Sequence, residues 1–314
     1  MLPDPVKYFV YFILGSVLII AITVIAEKKS PKIAGIIMCL PVITFLSLLF
    51  MALSQGIYFS SKAAIWNPIG AIADLVYMGL FAVGIRLPEY IGKNTDKSEN
   101  DKNDRMEKIK EIISGLLFGF TGYFISILIL SQFSVTNGWI SLVSLWIAAI
   151  ISYMIFKRMQ EKKQEKKQEK KQEKKQEKKQ EKKQEKKQEK LKLLSTKEII
   201  FRGLFGGSVV AVVVILGDSI GYIWGGLFSS FPGTITPVLV LLHLKNGKGM
   251  SFNVIKSAPI GLSGTGLYSF MVWLLYPAYG IIIGTLISYL AVLGFLSLML
   301  SDLKVRIRLE NRFF

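Results

Sequence analysis

The chain has 314 residues, 51% of them hydrophobic, yet it carries a formal net charge of +17. Much of that charge is confined to residues 161–190, which are seven copies of Glu-Lys-Lys-Gln followed by Glu-Lys, with 15 lysines and 8 glutamates. The rest is chiefly long apolar runs that one domain of this size could hardly bury in water, which excludes a soluble globular class. A single cysteine, Cys39, excludes an internal disulfide, and together with a single histidine, His243, it argues against a zinc site of the usual ligand types.

A helix needs about 20 apolar residues to cross the hydrocarbon core. Runs suited to that fall at 8–26, 33–53, 63–85, 112–131, 138–156, 199–219, 221–243, 257–276 and 279–300. The first ends in Glu-Lys-Lys-Ser-Pro-Lys with no small-residue cleavage pattern, so it reads as a retained helix. The second contains Pro41 near its middle, followed by Thr44. Proline removes a backbone donor and clashes with the preceding turn, so an interrupted helix is expected there. The third carries Asp74 and, three residues on, Tyr77. The seventh again has a central proline, Pro232, within Pro-Gly-Thr-Ile-Thr-Pro, which adds Thr234 and Thr236. The eighth contains Tyr268.

Short-loop lysine and arginine favour the cytoplasmic side. With the N-terminus outside, the segments 27–32, 86–111, 157–198, 244–256 and the tail from 301 hold 36 of the 39 basic residues. Arg202 can snorkel to the same side. Only Lys7 and Lys62 are left outside. The expected location is a cell membrane, with the C-terminus and the lysine tract cytoplasmic.

Residue n matches residue n+191 at a series of special-backbone positions: Gly15 with Gly206, Gly35 with Gly226, Pro41 with Pro232, Gly56 with Gly247, and Pro68-Ile69-Gly70 with Pro259-Ile260-Gly261. Tyr77 matches Tyr268, and Glu27 and Asp218 are counterparts at the ends of their first helices. Chance matching of apolar text would favour Leu and Ile instead. An odd number of helices separates the copies, which inverts the second. The loop charges are swapped accordingly: Glu-Lys-Lys-Ser-Pro-Lys is the first loop of copy one, and Lys-Asn-Gly-Lys-Gly the second loop of copy two. The expected fold is an all-α polytopic membrane helix bundle of about nine transmembrane helices, with an inverted-topology 4+1+4 internal repeat. Its parts are 1–131 (first four-helix repeat), 132–157 (linker transmembrane helix), 158–198 (cytoplasmic basic low-complexity segment), 199–300 (second repeat) and 301–314 (basic tail).

Inverted repeats with interrupted helices at the midplane are a frame used by secondary transporters. This suggests a solute or ion site near Pro41, Thr44, Pro232, Thr234 and Thr236. A plain proline kink that only shapes packing is the alternative. Asp74 is a coupling or cation-binding candidate, because an intramembrane carboxylate is expensive; a protonated or hydrogen-bonded packing residue is its other reading. Glu27 and Asp218 read either as gate or proton-coupling acids, one per membrane face, or as interfacial acids in solvated turns. Tyr77 and Tyr268 either line a path with Asn67, Ser263 and Thr265 or simply pack. His243 reads as an interfacial histidine at a helix end. No cofactor is implied, and no nucleophile–base constellation points to an enzyme. Beyond the bilayer itself, the expected partners are an unidentified small solute and anionic lipid headgroups near the basic segment. The tract has no interleaved aromatic residues, which argues against nucleic acid. An expanded tandem repeat without a specific role is its simplest reading.

Residues 26–49 resemble the GlpM-like small membrane proteins, whose pattern ends the first helix with an acid and continues with a proline, a glycine pair and a proline. Glu27, Pro31, Gly35 and Pro41 match it, with Ala34 in place of one glycine. Asp218, Gly225, Gly226 and Pro232 match it again, with Tyr222 in place of the first proline. The resemblance covers about three helices of each half and implies a fused, inverted pair of such units, without an activity to carry over. The architecture is similar, by analogy alone, to that of drug and metabolite transporters. The leading expectation is a secondary transporter of a small polar or ionic solute; a passive ion channel with the same frame and a non-transporting membrane assembly protein are the alternatives.

Overall fold

The computed structural model describes residues 4–27, 41–88, 101–175 and 195–313. All regular structure among them is helical: α1 (Asp4–Glu27), α2 (Val42–Gln55), α3 (Ile57–Gly84), α4 (Asp101–Leu130), α5 (Gly138–Lys175), α6 (Thr196–Ile220), α7 (Tyr222–Phe228), α8 (Ile235–Asn246) and α9 (Lys248–Phe313). Five of the helices are long and apolar enough to cross a membrane. The expected helix before Pro41 lies outside the described residues, as does the second half of the lysine tract, 176–190.

The apolar runs end where backbone chemistry changes. α2 starts directly after Pro41, whose carbonyl accepts the Phe45 N–H at 2.8 Å. The run 221–243 is two helices, α7 and α8, separated by residues 229–234 around Pro232. Gly56 and Gly247, a matched pair, each join two helices with φ of 93° and 71°. That left-handed conformation costs an L-residue about 1–2 kcal/mol, so glycine is the fitting residue at both corners. The last two expected spans form one element interrupted at Gly280, where φ is 76°. Its two arms fold back on each other: Tyr276 bonds Thr285 at 2.8 Å, and the rings of Tyr268 and Tyr289 are 5.1 Å apart.

Burial is arranged as a bilayer requires. α3 is the most enclosed of the long apolar helices, at 72% of its apolar window, and its centre packs against α4, α5, α7 and α9. α4, α5 and the second arm of α9 instead expose Leu117, Ile125, Leu128, Ile147, Ile150, Ile282 and Leu290. An outward-facing apolar surface of this extent is unfavourable in water and natural against lipid. α1 and α6 cross antiparallel through small residues. A Cβ on Gly15 would lie 3.3 Å from the Gly207 Cα, and a Cβ on Gly207 would run into Ser16 and the Phe12 carbonyl. α5 touches both α3 and α9: Ser141 donates to the Ile65 carbonyl and Trp146 Nε1 to the Ser263 carbonyl at 3.4 Å.

Candidate functional site

Interrupting the run at 221–243 frees backbone carbonyls, and in a low-dielectric setting they need donors. Local hydroxyls supply part of this: Ser229 Oγ donates to the Gly226 carbonyl at 2.6 Å and Ser230 Oγ to the Leu227 carbonyl at 3.0 Å. The rest comes from distant helices. Thr44 Oγ1, in the first turn of α2, donates to the Ser229 carbonyl at 3.1 Å. Asn67 of α3 donates Nδ2 to Ser229 Oγ at 2.7 Å and lies 3.4 Å from Thr44 Oγ1. Its Oδ1 accepts from Ser269 Oγ of α9 at 2.6 Å. Asn67, Ser229 and Ser269 are fully buried. One amide thus joins α2, α3, α7 and α9 at the helix break. Asn67→Ala removes the acceptor of the Ser269 hydroxyl and one of the two partners of Ser229 Oγ and is expected to lower stability by about 2 kcal/mol. Thermal unfolding in detergent reads this, and an unchanged midpoint would remove the network from the fold's support.

α3 continues the polar stripe. Residues 67, 70, 74 and 77 recur at helical spacing and share one face. Gly70 lets the helix meet the break, since a Cβ there would run into the Leu227 carbonyl. Tyr77 shares a hydrogen bond with Thr236 of α8 at 2.9 Å. Between them Asp74 is 1% exposed, and its Oδ1 has no hydrogen-bond partner.

The two matched prolines differ in their surroundings. Pro232 and Pro41 are both buried, and each carbonyl accepts the N–H four residues on, at 3.0 Å and 2.8 Å, so neither proline carbonyl is freed. Thr236 and Phe45 are those fourth residues. Thr236 meets Tyr77, whereas Phe45 meets Tyr268 and Tyr289 as aromatic rings, at centroid distances of 6.4 Å and 5.3 Å. The matched tyrosines therefore occupy matched places, one polar and one aromatic. Tyr268 is thereby set apart from the polar stripe. Thr234 is exposed and makes no cap bond to α8. Ser263 and Thr265 donate locally, to the Pro259 and Gly261 carbonyls.

Asp218 is not in a solvated turn. Its Oδ2 accepts from Lys7 at 2.9 Å, Tyr8 at 3.0 Å and Ser54 at 2.6 Å, and Lys7 also donates to Ser54 at 2.9 Å. Its counterpart Glu27 is the last residue of α1; its side chain lies outside the described ones. His243, in the last turn of α8, is fully buried within the protein. Its Nε2 lies 2.9 Å from Glu111 Oε2, its Nδ1 3.0 Å from Ser251 Oγ, and Lys248 is 2.7 Å from the other Glu111 oxygen. Serine, histidine and carboxylate in series are the residue types of an activated nucleophile. Ser251 is itself fully buried, so the series ties α4, α8 and α9 together instead of presenting a nucleophile.

Ser229, Ser269, Lys7, Ser54, Glu111 and Lys248 carried no sequence signal of a role. Asn67 did: it is an amide in the middle of an apolar helix, where an unpaired one is costly. No protein family, characterised protein or solved structure matches the chain.

Proposed function

We propose that the protein is a secondary transporter of a small polar or ionic solute, with its site on the α3 stripe beside the α7–α8 break. The observation that carries this is Asp74, a buried carboxylate whose Oδ1 has no partner, next to an interrupted helix. Such a group is expensive in a membrane and is kept where a cation or proton compensates it. Thr44, Asn67, Ser229, Ser269, Tyr77 and Thr236 are the polar groups assigned to the solute's surroundings, and Asp74 to the coupling ion. The site is placed at the α7–α8 break because among the described residues the polar groups gather there, whereas Phe45, in the first turn after Pro41, packs on the rings of Tyr268 and Tyr289.

In this reading the two halves are inverted copies, and three observations support that. Matched glycines form matched corners at Gly56 and Gly247. The antiparallel α1–α6 crossing falls on Gly15, Ser16 and Gly207, adjacent to their own counterparts. Tyr77 and Tyr268 each contact the fourth residue after the other half's proline. A fused pair of small GlpM-like units would give such a chain. The N-terminus lies outside and the lysine tract inside, near anionic lipid headgroups. In a Cys39→Ser background, single cysteines at 29 and 219 are expected to label from opposite sides with an impermeant reagent; labelling from one side sinks the inversion.

Transport itself is tested by reconstitution with panels of small amino acids, organic ions and inorganic ions. An imposed proton or sodium gradient is expected to drive uphill uptake of at least one of them. Dissipative flux alone would assign a channel instead, and no flux of any kind would leave a membrane assembly protein.

A further inference from the structure

We propose that Lys7–Asp218 and Glu198–Lys245 are the two ends of one reciprocal gate, pivoting where α1 crosses α6. The inference rests on the transporter reading and adds to it the residues that control access to the Asp74 site.

The first latch is a nearly buried ion pair, with side chains 18% and 5% exposed, bridging α1 and α2 of the first half to α6 of the second. The offset of 191 carries Lys7 to 198 and Ser54 to 245. Those positions hold Glu198 and Lys245, again an ion pair at 2.8 Å and more open, with side chains 35% and 16% exposed in the order Lys245, Glu198. The bond Lys7 to Ser54 and the bond Lys245 to Glu198 thus join matched positions in the two halves, with different chemistry at each. Asp218 supplies the cross-half partner on one side; the residue matched to it is Glu27, at the far end of α1.

Because α1 and α6 run antiparallel, the latches sit at opposite ends of the pair. The crossing lies between them, near residues 15–16 and 207. At 1.5 Å per residue each latch is about 12–14 Å from it. The α6 side of the crossing is Gly203, Gly206 and Gly207, against which Ile20, Ile19 and Ser16 of α1 seat closely; with no side chain on α6 to key them in place, one helix can rock on the other. Each pair has one partner on α6, Asp218 held to α1 at one end and Glu198 to α8 at the other, so a rotation of α6 by about 10° about that point moves each end by about 2 Å, enough to part an ion pair. A buried pair suits a latch, because desolvation offsets much of its Coulomb energy, so it closes without locking. In the form described here both pairs are made, the one at the Lys7 end nearly buried and the one at the Glu198 end more open.

Thr236→Cys, beside Tyr77, is the reporter, in a Cys39→Ser background. Its rate of modification by a charged, impermeant thiosulfonate is measured from each face, in intact cells and in inverted vesicles. Asp218→Asn is expected to raise the rate at least fivefold from the Lys7 face and not from the other. Glu198→Gln is expected to shift access towards the opposite face. The charge-reversed pair Lys7→Asp with Asp218→Lys is expected to restore the parent rate. Unchanged rates, or equal increases from both faces, would overturn the gate. If Asp218→Asn does not accumulate, Ser54→Ala is expected to give a smaller shift in the same direction, and no shift overturns the proposal equally. The readout needs no solute. One-sided access in a protein without flux would keep the gate and sink the transporter; flux that depends on Asp74 with unaltered access would do the reverse.

Discussion

Asp74→Asn is expected to lower coupled flux at least tenfold, about 1.4 kcal/mol of lost driving interaction or more, without lowering the midpoint of thermal unfolding in detergent. The two halves of that result have one cause. The carboxylate is 1% exposed and its Oδ1 has no hydrogen-bond partner. Neutralising it removes a desolvation penalty and breaks no hydrogen bond at that oxygen. A residue retained for packing would behave oppositely, with flux intact or with flux and stability lost together. Flux that becomes independent of the imposed ion gradient, with the solute still moving downhill, would identify Asp74 as the coupling group rather than a solute ligand. Undiminished coupled flux in the Asp74→Asn protein would remove Asp74 from the mechanism.

The largest loss of stability is expected from Gly226→Ala and Gly70→Ala, about 3 kcal/mol each. A Cβ on Gly226 would run into the Ala63 carbonyl and lie 2.7 Å from the Trp66 Cβ; one on Gly70 would run into the Leu227 carbonyl and lie 2.6 Å from Ser230 Oγ. Backbone is the obstacle in both cases, so no rotamer change relieves it, and α7 must back away from α3. That displacement also draws Ser229 from Asn67, so flux should fall with stability. Gly249→Ala is the control, since a Cβ there meets nothing within 4 Å. Ala is the better helix former, so this change should leave the unfolding midpoint unaltered or slightly raised. Equal behaviour of Gly226→Ala and Gly249→Ala would mean that α3 and α7 do not pack as described.

Much of the fold was legible in the chain because it depends on local properties. Apolar length marks the helices, and the interruption at 229–234, the corners at Gly56 and Gly247 and the fold-back near 277–280 follow from proline, glycine and run length. The interruption at Pro232 and the start of α2 after Pro41 needed no tertiary information, since proline's missing donor acts on its own turn.

What the tertiary structure alone decided is which polar groups meet. Asn67 and Ser269 are 202 residues apart, Lys7 and Asp218 211, and His243 and Glu111 132. No local pattern encodes such pairings; they follow from how half-helices dock. Thr234 and Thr236 show the point in three residues. They look equivalent in sequence, but Thr234 lies in the turn before α8 and is exposed, whereas Thr236 lies inside α8 and reaches Tyr77. Likewise Pro41 and Pro232 look like equal halves of a site. Phe45 stands in the first turn after Pro41 and meets the Tyr268 ring, whereas Thr236, the matched residue after Pro232, meets Tyr77. Sequence by itself determined a helical chain with long apolar segments and where its helices break, since length and backbone stiffness are read residue by residue. Only packing decided that the polar groups gather at one break, that Asp74 stands buried beside it, and that His243 and Asp218 are enclosed, since burial depends on every neighbour at once.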